Sequence, residues 1–355
     1  MKRAAAVMVV LLIASSSYGA KWRAARTLQT EWAAPVCQVT DLPWLRFAEP
    51  NGTVHRSSLY PAWPATNPLI MTVAAGAANT LWAVDMAGAI HRSDDAGCTW
   101  TVVAAVPEAL RDEWDAGIAA RHGWRVYVYT GPRYTPYDHA IVRITGGTIE
   151  TFEVPDPHGF LVMEVDPADA NHLLAIGRWQ RTWESTDGAA TWKEVGYAGM
   201  SVSEARAVSF YPRDFNHSFL ATSEGLFESR DGGRSWTKSL PGEFDGVRFA
   251  PSDASVVYVG AVPSALLRST DGGRSFATID VAVRGPYSRL YYMAQFFAVS
   301  PTDPFMFASP GDRAVGVKIT SPEGERTTSA YENVAKAIWA PNGYIYYTRS
   351  WVWLR

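Results

Sequence analysis

The stretch Ser229-Arg230-Asp231-Gly232-Gly233-Arg234-Ser235-Trp236 recurs along this 355-residue chain, and the recurrence decides the fold. It returns as Ser269-Thr270-Asp271-Gly272-Gly273-Arg274-Ser275-Phe276 and as Ser185-Thr186-Asp187-Gly188-Ala189-Ala190-Thr191-Trp192. A fourth copy is Ser93-Asp94-Asp95-Ala96-Gly97-Cys98-Thr99-Trp100. The shared pattern is Ser-x-Asp-x-(Gly/Ala)-x-(Ser/Thr)-(Trp/Phe). Ser229 stands 44 positions after Ser185 and 40 before Ser269, and Ser93 lies 92 before Ser185, close to two periods. A degenerate turn at 141–147 fills that gap, and weaker copies end strands at 54–57 and 317–320. One unit is therefore about 42 residues long, a period that signals a repeat architecture.

A second signal runs in phase with the first. Pro167-Ala168-Asp169, Pro212-Arg213-Asp214 and Pro251-Ser252-Asp253 precede the Ser of the following turn by 18, 17 and 18 residues, and Pro301-Thr302-Asp303 repeats the pattern. Proline presets φ for a turn, and Asp bonds its own backbone two residues on. Between these turns each unit reads as four short strands. In one unit they are 205–210, 218–222, 225–229 and 235–240; in the next, 246–250, 256–260, 265–269 and 275–280. The runs are rich in Val, Phe, Tyr, Thr and Leu and are bounded by Gly, Pro, Asp and Ser. Four-stranded units of this length, repeated radially, make an all-β fold: a single β-propeller of four-stranded blades. Residues 21–355 divided by the period predict eight blades, with seven the alternative because the first unit is short and irregular. In the eight-blade reading, 351–355 is the third strand of the last blade and 26–32 closes the ring as its fourth.

Composition narrows the class. At 47% hydrophobic and 13% aromatic the chain buries a full core and is not disordered. The net charge of −3, with no Lys/Arg run, predicts no nucleic-acid partner and no attraction to anionic membrane. Lys2 and Arg3 precede an apolar run at 4–14, and Ser15-Ser16-Ser17-Tyr18-Gly19-Ala20 supplies small residues for cleavage. Residues 1–20 thus read as a signal peptide, since eleven apolar residues are too few to span a bilayer, which takes about 20. The mature chain is expected to be exported, periplasmic or secreted, without membrane insertion. Cys37 and Cys98 are the two cysteines, and the sequence leaves open one disulfide or two separate thiols.

The repeated turn joins the third and fourth strands of a blade. Its Asp is placed to accept N–H bonds from its own turn, its Gly to supply positive φ, and its aromatic residue to cap the layer against the next blade. Ala189 replaces the Gly in one copy, which predicts a different or strained turn there. Calcium is not expected, because it takes six to eight oxygen ligands and each turn offers mainly one carboxylate beside Arg230, Arg234 or Arg274. No metal site or cofactor is expected anywhere: the seven histidines are scattered, and His55 and His91 fall in equivalent third strands.

These turns resemble the Asp-box, or bacterial neuraminidase repeat, of sialidases, xyloglucanases, sortilin-type propellers and the photosystem II assembly-factor family. The four strong copies cover 93–276. The resemblance implies propeller architecture and leaves function open, because in these families the motif is an element of the fold.

Geometry then selects a face. The 1–2 and 3–4 turns of every blade lie at one end, so the variable 2–3 turns and the blade-to-blade connections crowd the other, where loops on a rigid scaffold carry function. The 131–139 loop offers Arg133, Tyr134, Tyr137, Asp138 and His139, and the 284–289 connection offers Arg284, Tyr287 and Arg289. Arg178, Trp179 and Arg181 in the 177–181 loop, with Asp312 and Arg313, join the same rim; Asp156, His158 and Glu204 are similarly placed. Arginines among tyrosines suit a carboxylated or sugar-like ligand or a protein hot spot. The sialidase signature Phe/Tyr-Arg-Ile-Pro is absent, the nearest text being Leu45-Arg46-Phe47. No carboxylate pair stands out among Glu108, Asp112, Glu113, Asp156 and Glu204. The expectation is a non-catalytic propeller that binds a protein or glycan on its loop face; the alternative is a glycoside hydrolase of sialidase-like type with diverged catalytic residues.

Overall fold

The computed structural model describes residues 32–38, 40–42, 45–49, 51, 53–55, 70–77, 79–108, 116–122, 124–131, 139–177, 179–197, 205–262, 265–279, 298–310, 317–327 and 334–349. Residues 1–20, expected from the sequence to be a signal peptide, lie outside this set. Every regular element named below is a strand, and the strands make seven four-stranded antiparallel sheets. No helix of the described residues is long and apolar enough to cross a membrane.

The blade that carries the opening stretch consists of Ala205–Tyr211, Asp214–Thr222, Gly225–Ser229 and Thr237–Pro241, in that order across the sheet. The next blade is Phe244–Phe249, Val257–Ala261, Ala265–Ser269 and Ala277–Ile279. Both third strands lie where the repeats place them. First strands neighbour first strands around the ring and line its axis, and the second and third strands supply the buried layers between blades. The degenerate copy is a blade too: Ala140–Thr145 and Thr148–Glu153 meet in a two-residue hairpin with Gly146 and Gly147 both at positive φ (53° and 96°). Two such residues form the type I′ turn that suits strand twist.

The ring has seven blades, not eight. The closing sheet joins Val334–Trp339 and Ile345–Arg349 to Leu45–Ala48 and Val54–His55. Leu45–Ala48 takes the third place, pairing Leu45 with Thr348 and Ala48 with Ile345. Residues 351–355 and 26–31, expected to close an eighth blade, lie outside the described residues, and the place assigned to them is filled by strands nearer the centre of the chain. Val54–His55 is the outermost strand of this sheet, so His55 is not equivalent to His91, which does lie in a third strand, Ala89–Ser93. The length estimate overcounts because 32–42 contains no strand among its described residues. Those residues lie instead across the seam between the closing blade and the Ile70–Ala105 region. Trp32 and Cys37 pack on the core there, Ala33 accepts from Asn342, and Cys37 is disulfide-bonded to Cys98.

The repeated turns are built alike. Asp231 accepts from the Ser235 N–H at 2.9 Å, the Ser235 hydroxyl at 2.6 Å and the Ser229 hydroxyl at 2.9 Å. Asp95, Asp187 and Asp271 repeat all three bonds. The Pro-x-Asp turn is its neighbour in space: Asn216 O accepts the Gly232 N–H at 2.9 Å, and Ser255 O accepts that of Gly272 at 2.8 Å. That bond is why the two signals keep constant phase. Ala189 adopts φ 74°, against 78° in Gly233, so its turn keeps the common shape and carries the strain of a Cβ in the left-handed region.

Candidate functional site

The end of the ring opposite these turns carries a cleft of about 330 Å³ on the third blade, whose strands are Phe160–Val165, Leu173–Gly177, Arg181–Ser185 and Lys193–Tyr197. Three chain segments converge there. The connection at 154–159 brings Asp156 and His158, the 2–3 turn brings Trp179 and Arg181, and the fourth strand brings Glu194 from near its start and Tyr197 from its end. Antiparallel pairing of Arg181 with Tyr197 puts the end of the outer strand beside the turn.

Asp156 organises the floor. It is 1% exposed, and its Oδ1 accepts the His158 N–H at 2.9 Å while Oδ2 accepts the Trp183 indole N–H at 3.2 Å. One carboxylate thereby ties the blade connection to the third strand, so the cleft rests on a strut. The His158 ring meets Trp179 edge-on, with centroids 5.7 Å apart at 87°. Such contacts hold an indole in place while leaving a face for a ligand. Trp179 remains 36% exposed and Tyr197 51%. Arg181 Nη1 and Glu194 Oε2 form an exposed ion pair of 2.9 Å along one wall. Gln180, fully buried between Trp179 and Arg181, adopts φ 67°. A non-glycine residue held there costs about 1–3 kcal/mol, and such strain gathers at ligand-binding positions.

Of the rim residues expected from sequence, Arg133, Tyr134, Tyr137, Asp138, Arg178, Arg284, Tyr287, Arg289 and Arg313 lie outside the described residues, as do Asp312 and Glu204. His139 is described and only 6% exposed. Its Nδ1 is 3.2 Å from the Thr130 hydroxyl, and its ring abuts Gly159 of the neighbouring connection. It is built into the scaffold. The structure brings together Asp156, His158, Trp179 and Arg181, and adds Glu194, Tyr197, Gln180 and Trp183. Tyr197 carries no signal in the sequence, because the outer strand Lys193–Tyr197 does not alternate and its pairing to the third strand is bulged. Nothing local marks the bond between Asp156 and Trp183, which are 27 positions apart.

The ring axis holds a second cavity, of about 560 Å³, lined by first strands of six blades. Ionic groups bridge blades along it. Arg206 meets Glu243 at 2.7 Å and Asp245 at 2.5 Å, and Arg121 meets Glu164 at 3.4 Å. Burial pushes the Asp245 carboxyl up, against the pull of Arg206. Among the described residues no group of three or more His, Cys, Asp or Glu is placed to hold a metal ion.

No family model matches the chain. Dispase autolysis-inducing protein of Streptomyces mobaraensis is 28% identical over 300 residues, which cover 77% of this chain and 75% of that protein. Among solved structures, YCF48 bound to D1 peptide matches with a TM-score of 0.57 at 11% identity, covering 88% of this chain and 99% of that one. YCF48 from Cyanidioschyzon merolae matches with a TM-score of 0.60 at 14% identity, covering 79% and 96%. At these identities the likeness is one of fold: the chain is similar to YCF48 as a β-propeller.

Proposed function

We propose that this chain is an exported, non-catalytic propeller that binds a segment of another protein in the cleft between Trp179 and Tyr197. The observation that carries the reading is the pair of exposed aromatic side chains on a rigidly strutted cleft. Aromatic anchors beside an arginine dominate the energetics of protein interfaces. The Asp156 carboxylate has both oxygens engaged by its own scaffold, which suits a strut and not a general acid. Two likenesses support a protein partner. One YCF48 structure holds a peptide, and the relative from Streptomyces mobaraensis is named for an action on dispase. The Cys37–Cys98 disulfide and the leader-like residues 1–20 support export, since disulfides persist in oxidising compartments.

The test is capture from the exported fraction with the wild-type protein and the Trp179→Ala/Tyr197→Ala double variant. A protein held by the first and lost by the second, at unchanged melting temperature, supports the reading. Equal capture by both, or saturable binding of a glycan and no protein, overturns it. Hydrolysis of fluorogenic glycosides that vanishes with one carboxylate substitution would establish the glycosidase alternative in its place.

A further inference from the structure

The axial cavity holds a cation that no carboxylate of the described residues meets in an ion pair. Arg248 lies near the end of the first strand Phe244–Phe249 and lines this cavity. Its Nη1 donates to two backbone carbonyls, Val247 O at 3.1 Å and Val208 O at 3.3 Å. No carboxylate of the described residues forms an ion pair with it. In this it differs from Arg206 and Arg121, whose charges are met by Glu243 and Asp245 and by Glu164. The carbonyl bonds occupy one nitrogen, so among the described residues Nε and Nη2 keep donors for the cavity. An arginine fork suits a carboxylate better than a point charge does.

Two further donors converge on the same space. Ser209, on the adjoining first strand, accepts the Phe249 N–H at 3.1 Å, which leaves its hydroxyl proton to donate into the cavity it lines. Tyr129 comes from the second strand of its blade, Arg125–Thr130, one layer back from the axis. It reaches the cavity because the residue paired with it, on the first strand Ala116–His122, is Gly117. A Cβ on Gly117 would overlap the Tyr129 ring and its hydroxyl. The missing side chain is a passage for the phenol. Burial lowers the Arg248 pKa, and Glu164 and Tyr129 act in the opposite sense, which places both within electrostatic reach of the guanidinium.

We infer that the axial cavity is a binding site for a small organic carboxylate, gripped by the Arg248 guanidinium with the Ser209 and Tyr129 hydroxyls. A volume of about 560 Å³ lies in the range of small-molecule sites, concave and mostly apolar with a few convergent polar groups. Glu164 opposes the ligand's charge, and its pairing with Arg121 moderates that opposition.

The experiment is calorimetric titration of the full chain with succinate, and with succinamide as the neutral isostere. Succinate is expected to bind saturably and succinamide not to. Arg248→Gln should weaken succinate by about tenfold or more, the loss of a charge-assisted bond, while Arg248→Lys, which keeps charge but not the fork, weakens it less. Gly117→Ala, which blocks the phenol, should also weaken binding. Glu164→Gln leaves Arg248 in place and removes the opposing charge, so it should tighten binding several-fold. Equal affinity of succinate and succinamide, no saturation, or unchanged affinity in Glu164→Gln together with Arg248→Lys would overturn the assignment. The cleft at Trp179 lies outside this cavity, so its own test is unaffected by the outcome.

Discussion

Gly273 rests against the ring of Phe219 in the preceding blade, so closely that a Cβ would sit 2.8 Å from Cε2 and overlap Cζ. The repeated turn is therefore also an inter-blade contact. Gly273→Ala should add about 1–2 kcal/mol of left-handed strain and about 1–3 kcal/mol of overpacking. Ala189→Gly, in the same turn of another blade, relieves strain at φ 74° but removes a buried methyl and loosens the unfolded chain. Its change should stay within about 0.5 kcal/mol. Denaturant midpoints of the two variants test the contrast.

Acid should act through the turns. Burial raises the Asp95, Asp187 and Asp231 carboxyls, but the hydroxyl and N–H bonds win and hold all three below the ordinary range; in Asp271 the Ser275 hydroxyl leads the lowering. A lowered carboxylate contributes stability that is complete above its unfolded value near 4 and is lost as pH falls through the folded value. Burial, and then the Arg230 cation, lower His217, so a smaller loss should begin as pH falls below about 6.5. Melting temperature measured from pH 8 to 2 should fall in two steps. His217→Gln should remove the first and leave the second.

Reduction should loosen the seam. The Cys37–Cys98 bridge closes a loop of sequence separation 61, and its loss is expected to cost about 2–4 kcal/mol. Thermal melts with and without reductant, beside a Cys37→Ser/Cys98→Ser variant, measure it. Equal melting temperatures would contradict the assigned role.

Asp156→Ala removes the acceptor for the His158 N–H and the Trp183 indole. Buried donors left unsatisfied cost about 1–3 kcal/mol. The variant should melt lower and bind the cleft's partner more weakly, whereas Trp179→Ala should lose binding at nearly unchanged melting temperature.

What the sequence made legible was whatever repeats. The third strands Gly225–Ser229 and Ala265–Ser269 could be read to the residue, because the turn that follows them is stereotyped down to its hydrogen bonds. The blade count could not, because the closing sheet is drawn from two distant segments and carries no such turn. Blade phase alone assigns Trp179, Arg181, Asp156 and His158 to one face, and the structure brings these four together in one cleft. Their common purpose was hidden, since the strut at Trp183 and the wall at Glu194 and Tyr197 belong to neighbouring strands, not neighbouring positions. The axial site was hidden for the same reason: Gly117 acquires meaning only opposite Tyr129.

The shared closing sheet imposes an order in time. Leu45–Ala48 is made early and is fully buried in the finished ring, yet its partner Ile345–Arg349 is made some 300 positions later. Until then an apolar strand waits with one edge unsatisfied, the kind of edge that invites other chains to pair with it. The bond from Cys37 to Cys98 and the Asp41 N–H donated to Cys98 O moor that strand to a blade that needs no distant partner. Mooring raises the local concentration of the waiting strand at the gap, so that the last two strands dock within their own ring before they meet a neighbour's.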